Sequence, residues 1–278
     1  MVFKMKQIFQ TVLLLILMAG WVQADDDPNQ KFNGFNLQGY DEAGEKAWEV
    51  NGDTANIVGS EVILSNVDAN TFGEQTMNVV AKTGIVDQTS GKMHLQEDVV
   101  ITSEDGQQMM TDTLDWDRNK DLVTTEDDVL ITGKQMMVTG EGLWSKPGSK
   151  LAKIHKDVTV VVDTESKEET AGKTVTITSD GPMVIDQAKS IATFEENVVA
   201  FQEDQTLKAD RMEIYFDKEM SGIEKMVCVG NVEIEQGENK SYAQRAVYQA
   251  TTQKLTLSGR PKLVLQTEGG SLFAASGN

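Results

Sequence analysis

The stretch Asp98-Val99-Val100-Ile101 decides the fold class, because its pattern of an acidic or amide residue followed by valine and further apolar residues recurs along the chain. Successive copies begin 30, 29, 40 and 34 residues apart. A repeat of fixed period indicates stacked copies of one small supersecondary unit. The further copies are Asp128-Val129-Leu130-Ile131, Asp157-Val158-Thr159-Val160, Asn197-Val198-Val199-Ala200 and Asn231-Val232-Glu233-Ile234.

Strands rather than helices make up this unit. Apolar and polar residues alternate, as in Met212, Ile214 and Phe216, and such alternation is typical of strands with one buried face. Turn signals separate the strands at Glu104-Asp105-Gly106, Asp180-Gly181-Pro182 and Gln236-Gly237-Glu238. The spacing leaves no room for crossover helices, so consecutive strands are predicted to pair as antiparallel neighbours or to wind as a solenoid.

The N-terminus has the features of an export signal. Lys4 and Lys6 precede an apolar stretch over residues 8–22, and Val22-Gln23-Ala24 provides small residues at a cleavage position. We expect residues 1–24 to be a signal peptide cleaved after Ala24. The alternative is a retained single-pass anchor, and both place the rest of the chain outside the cytoplasm.

Composition excludes several classes of function. The formal net charge of the 278 residues is −19, which disfavours nucleic acid and anionic membrane surfaces as partners. Cys228 is the only cysteine, so no intramolecular disulfide forms. No basic cluster flanks Cys228, and we expect a buried core thiol rather than a reactive one.

A highly charged segment, residues 163–173, lies in the widest repeat interval and has no apolar residue larger than alanine. We therefore predict a β-domain over residues 31–163, a charged linker over 164–173 and a second β-domain over 174–278. The alternative is a charged hairpin within one continuous sheet.

No catalytic motif is apparent. His94 and His155 have no Cys or His partner at metal-ligand spacing, and no nucleophile elbow, phosphate loop or dinucleotide fingerprint occurs. The acidic runs Glu126-Asp127-Asp128 and Asp25-Asp26-Asp27 lack the spacing of a calcium loop. We therefore expect no enzyme activity, no cofactor and no metal site, and look to the methionine-rich apolar interior for function.

Two parts of the chain resemble known families. The first half is similar to the periplasmic LptC family of lipopolysaccharide export, on residues 35–48 (FNLQGYDEAGEKAW), 52–55 and 62–67 and on later segments such as Thr111-Asp-Thr-Leu-Asp-Trp116. The second half resembles the OstA/LptA type of domain. That match rests on residues 192–198, 207–214, 230–234, 246–248 and 257–261.

The resemblance implies an open antiparallel β-jellyroll in each half and a non-enzymatic bridge through the periplasm. Such a bridge receives lipopolysaccharide from an inner-membrane ABC transporter, contacts other periplasmic bridge proteins and passes the lipid towards the outer membrane. Exposed strand edges at the open ends would allow head-to-tail homo-oligomers by β-augmentation. The chain departs from the family in two respects, since LptC proteins usually keep their N-terminal anchor and the two domain types are usually separate chains.

Alternation together with the resemblance predicts which side chains face the lipid. The predicted lipid-binding residues are Val99, Ile101, Leu114, Trp116, Val129, Ile131, Val198, Met212, Ile214, Phe216, Val232 and Ile234. Face assignments of this kind are sensitive to a register slip of one residue. A structural or adhesive secreted β-repeat protein without lipid cargo, and a secreted hydrolase on a β-scaffold, are the alternatives.

Overall fold

The computed structural model describes residues 29–40, 43–72, 76–117, 119–133, 135–164, 173–218 and 222–265. The predicted leader, the cleavage position Ala24 and most of the predicted linker lie outside these residues. Among the described residues, no helix is long and apolar enough to cross a membrane.

Seventeen antiparallel strands and two short 3-10 turns make up the described chain. The strands are β1 (Asn29–Tyr40), β2 (Lys46–Val58), β3 (Glu61–Thr71), β4 (Met77–Asp87), β5 (Lys92–Ser103), β6 (Gln108–Asp117), β7 (Leu122–Thr132), β8 (Met136–Lys146), β9 (Leu151–Thr164), β10 (Lys173–Ser179), β11 (Met183–Asp186), β12 (Ile191–Gln202), β13 (Gln205–Phe216), β14 (Ile223–Gln236), β15 (Asn239–Gln249), β16 (Lys254–Ser258) and β17 (Lys262–Val264). The 3-10 turns are Pro147–Ser149 and Ala250–Thr252. The predicted all-β, antiparallel fold class is confirmed.

The chain divides into two compact units between Lys156 and Asp157, inside β9. Unit 1 holds β1 to β8 and the start of β9, and unit 2 holds the remainder. On either side of the predicted linker, β9 and β10 pair directly, with Asp163 opposite Thr174. The domain limits of the sequence analysis stay a prediction.

Unit 1 is a meander in which each strand pairs with the next along the chain, from β1–β2 to β7–β8. Unit 2 follows the same order with one exception. Both β10 and β11 pair antiparallel with β12, so they run in the same direction and occupy one strand position in two segments. Asp180-Gly181-Pro182 therefore interrupts a strand and does not reverse its direction. The interruption arises because Pro182 has no N–H to donate to the ladder.

The recurring motif marks a β-bulge. Asp98, Asp157, Asn197 and Asn231 have φ angles of 54°, 53°, 50° and 44°, a left-handed conformation that Asp and Asn tolerate better than other non-glycine residues. Register shifts occur at three of these points, between Gln96 and Val99, between Glu195 and Val198 and between Val229 and Val232. Each following valine is buried. The bulge thus turns the strand and presents the valine to the interior.

One copy of this motif was not recognised from the sequence. Asn66-Val67 is a further copy, with φ 49° at Asn66 and a buried Val67. In the strand that follows three of the motif copies, a small residue and a residue three positions later are both buried, which also requires an irregularity in the strand. Examples are Thr111 with Leu114 in β6, Ala209 with Met212 in β13 and Ala243 with Ala246 in β15.

Candidate functional site

The inner face of unit 1 consists of rows of side chains from consecutive strands. We call a row of directly paired residues a rung and name it by one member. The Ile101 rung contains Val50, Ala69, Val79, Ile101, Met109, Ile131 and Val138. The Trp116 rung contains Ile57, Val62, Val86, Met93, Trp116, Val123 and Ser145.

Between these two rungs lies the tightly packed core of unit 1. Leu95, Val99 and Leu114 are buried there with Ala81, and Ile101, Met93 and Met109 pack against them from the two rungs. Val99 is 0% exposed. Because the described strands of the unit supply no second layer, the same sheet must curl over this face to cover it. Val129 is buried with them, and Ile131 and Trp116 are half-buried.

Unit 2 has an equivalent inner face. The Met212 rung contains Met183, Phe194, Met212, Cys228, Ala246 and Leu257. The Ile234 rung contains Ile177, Ala200, Leu207, Ile234, Ser241 and Leu263. Val198, Val232 and Ile214 are buried, whereas Phe216 and Ile234 are half-buried.

The predicted lipid-binding residues therefore fall into two groups on the inner faces. The sealed group is surrounded by protein, and it comprises Val99, Leu114, Val129, Val198, Met212, Ile214 and Val232. The half-buried group retains accessible apolar surface, and it comprises Ile101, Trp116, Ile131, Phe216 and Ile234. Lipid contact by either group stays a prediction. The Ile101 rung also contains Val50, Ala69 and Val79, which were not predicted from the sequence. They lie on β2, β3 and β4, the strand of the missed Asn66-Val67 copy and its two neighbours.

Charged side chains on the outer face pair with one another. Lys240 Nζ lies 2.7 Å from Glu235 Oε1 and 3.4 Å from Glu233 Oε1, and Lys208 Nζ lies 3.4 Å from the same Glu235 oxygen. The hydrogen bond from Lys240 is the largest cause that lowers the pKa of Glu235 to about 2. At the bulges, Asn197 Nδ2 donates to Asp180 Oδ2 at 2.7 Å and Asn231 Nδ2 donates to Asp210 Oδ2 at 3.0 Å.

Among the described residues, neither histidine belongs to a group of side chains that could hold a metal ion. His94 Nδ1 lies 2.7 Å from Asp115 Oδ1 on the neighbouring strand. The His155 ring packs over Gly142, where an added Cβ would lie 2.8 Å from His155 Nδ1. Within the described ranges, no three His, Cys, Asp or Glu side chains are grouped so as to hold a metal ion.

Cys228 is a buried free thiol on the Met212 rung. Burial raises its pKa to about 12, which keeps the thiol protonated at neutral pH. The expectation of a buried core thiol is confirmed.

A family model described as "Lipopolysaccharide-assembly, LptC-related" matches residues 13–163, more than half of the chain. The chain belongs to this LptC-related family. A second model, the "LptA/(LptD N-terminal domain) LPS transport protein" family, matches residues 176–276. This LptC-related chain therefore carries both types of lipopolysaccharide-transport domain in succession, and its role lies in lipopolysaccharide transport.

Among solved structures, the LptC-related chain is similar to LptH from Pseudomonas aeruginosa, described as the LptA homologous periplasmic component of the conserved lipopolysaccharide transport device. The two are 13% identical, with a TM-score of 0.26, over 59% of this chain and 97% of that one. No curated protein matches the chain.

Proposed function

We propose that the chain is a non-enzymatic periplasmic bridge component that binds lipopolysaccharide by its acyl chains. In this role it accepts the lipid from an inner-membrane ABC transporter and passes it towards the outer membrane. The observation that carries the proposal is the succession of an LptC-related match and an LptA/LptD N-terminal match, each over a sheet with an apolar inner face.

Burial of hydrocarbon supplies the affinity. Each CH₂ removed from water contributes roughly 0.8 kcal/mol, so an acyl chain of about a dozen carbons gains on the order of 10 kcal/mol before ordering costs. Such a chain does not escape readily into water, but it exchanges with another apolar face at little cost. The half-buried group offers the first contacts, because an acyl chain reaches Ile101 or Ile234 without displacing the packing around Val99 or Val232.

The terminal strands support contact with other bridge proteins or with further copies of the chain. Strand β1 pairs with β2, and strands β16 and β17 both pair with β15. Apolar side chains are exposed on these strands, including Phe32 on β1 and Leu263 on β17, which is 62% exposed. An unpaired strand edge with exposed apolar residues is suited to β-augmentation. We infer that the chain stacks head to tail through these edges.

Site-specific photocrosslinking in cells tests the lipid contact. We expect a photoreactive residue at Ile101 in unit 1 or at Ile234 in unit 2 to crosslink to lipopolysaccharide. The matched controls are Thr102 and Glu233, which precede or follow an inner-face residue by one position and so face outward. Equal crosslinking at inner and outer positions, or none at either, would count against the proposal.

The alternative is a structural β-repeat protein with a filled core, and one observation favours it. The sealed group leaves no gap around Val99 or Val198, both 0% exposed. This alternative predicts a protein of apo mass when the chain is isolated from periplasm, with or without added lipopolysaccharide. Native mass spectrometry separates the two, since the bridge function predicts a bound lipid of stoichiometric mass.

A further inference from the structure

Trp48, on β2, has a buried hydrogen-bond donor without a partner. The side chain is 3% exposed, and its Nε1–H has no acceptor among the described residues. The indole lies over Gly39 of β1, directly opposite in the register, so that a Cβ added to Gly39 would be 1.9 Å from Nε1. A buried polar group in this state costs free energy that a partner would recover.

Three polar side chains on the row of Trp48 or on its strand have partners of their own. Thr71, paired with Trp48 across β2–β3, accepts the backbone N–H of Met77 at 3.0 Å. Ser103, which follows on the same row, donates to Asp105. Lys46 Nζ lies 2.8 Å from Glu49 Oε2. The indole N–H thus stays without an acceptor among the described residues.

The position of Trp48 indicates which ligand. Trp48 is two residues before Val50 of the Ile101 rung, so its ring is on the inner face. The cover over Nε1 is a glycine of the terminal strand β1, beside the exposed residues Leu37 and Tyr40. Strand β1 pairs with β2. A small displacement of β1 would therefore expose the indole N–H to a lipid on the inner face.

We propose that Trp48 Nε1–H binds a carbonyl oxygen at the ester or amide linkage of an acyl chain. The inference rests on the proposed function and adds to it a polar anchor that fixes the depth of the lipid at the β1–β2 end of unit 1. A neutral carbonyl suits this position better than a phosphate, because an anion in a buried site without a free cation pays a much larger desolvation cost. Lys46, two residues before Trp48 on the same strand, is held by Glu49.

The test compares two ligands on the purified full chain. Lipid A carries ester and amide carbonyls, whereas N-phenyl-1-naphthylamine is apolar and has no oxygen. We expect Trp48→Phe to weaken lipid A binding about fivefold, as expected for one hydrogen bond of about 1 kcal/mol, and to leave binding of the naphthylamine within about twofold. The control Trp144→Phe, on β8, is expected to change neither.

A direct measurement on the unaltered protein accompanies the variants. In the NMR spectrum of ¹⁵N-tryptophan-labelled protein, the indole resonance that Trp48→Phe removes should move downfield on addition of lipid A and stay in place with the naphthylamine. Equal lipid A affinity of wild type and Trp48→Phe, or an equal loss for both ligands, overturns the inference while the proposed function stands. Failure of the wild type to bind lipid A overturns both.

Discussion

At the residue scale, the bulge motif combines backbone tolerance with burial. Asn197 adopts φ 50° and Val198 beside it is 0% exposed. A β-branched residue at the first position would be strained, because left-handed φ brings its Cβ against the backbone. The choice of Asp or Asn at this position thus follows from local sterics, and the choice of valine at the next follows from the inner face.

We expect Asn197→Val to lower the free energy of unfolding by about 1–3 kcal/mol through this strain. Asn197→Gly is the matched control, since glycine adopts positive φ freely and lacks the same exposed hydrogen bond to Asp180. Its effect should stay below about 1 kcal/mol. Urea unfolding measures both, and similar losses in the two variants would show that the hydrogen bond, rather than the backbone, matters.

At the element scale, the first hairpin is joined by aromatic rings that lie over glycines. Trp48 of β2 covers Gly39 of β1, and Phe35 of β1 covers Gly52 of β2, each pair being directly opposite in the register. Each ring fills the space that a side chain on the glycine would take. The two pairs fix the register of β1, which is otherwise a terminal strand with few buried side chains.

Gly39→Ala should lower the free energy of unfolding by about 1–3 kcal/mol, because the new methyl group overlaps the Trp48 ring. In a Trp48→Leu background the same change should cost much less, giving a coupling of at least about 1 kcal/mol in a double-mutant cycle. Urea unfolding of the four proteins provides the cycle. Additive effects would mean that the indole does not lie over Gly39.

The outer face of β13, β14 and β15 gives a prediction for pH dependence. The folded-state pKa of Glu235, about 2, lies below the ordinary value of 4.5, mainly through the hydrogen bond from Lys240. A depressed carboxyl pKa contributes stability above the ordinary value, and this contribution is lost as the pH falls from about 4.5 to about 2.

Thermal unfolding of wild type and Glu235→Gln should therefore differ most at pH 6, with the wild type more stable, and converge towards pH 2. Because these side chains are partly exposed to solvent, the difference should be small and should shrink in 1 M salt. A difference that grows on acidification would contradict the assignment.

At the scale of the whole molecule, each unit buries its inner face without a second layer of helices or a second sheet among the described residues. Such a sheet ends in strand edges, and here the terminal strands carry exposed apolar residues such as Phe32 and Leu263. A core and an association surface are thus produced by the same arrangement, because an open sheet cannot pair its last strands.

We expect native mass spectrometry of the wild type to give a ladder of oligomers whose extent rises with protein concentration. Leu263→Asp should shift the distribution to monomer by placing a charge on the terminal strand. Phe201→Asp is the matched control, as Phe201 is 45% exposed on β12 but is paired on both sides. Equal effects of the two changes would attribute the oligomers to nonspecific apolar contact.

The sequence by itself determined the strand content, most copies of the repeat, part of the inner face and the family, because alternation and the tolerance of Asp and Asn for positive φ are local properties. Val99, Val198 and Val232 were assigned to the inner face from these patterns, and all three are buried. The tertiary structure alone decided that the motif is a bulge, that Asp180-Gly181-Pro182 interrupts a strand, and which inner-face residues are sealed or half-buried. It also placed Trp48 over Gly39. These features depend on neighbours across the sheet, and local patterns do not specify which backbone or ring stands opposite a given side chain.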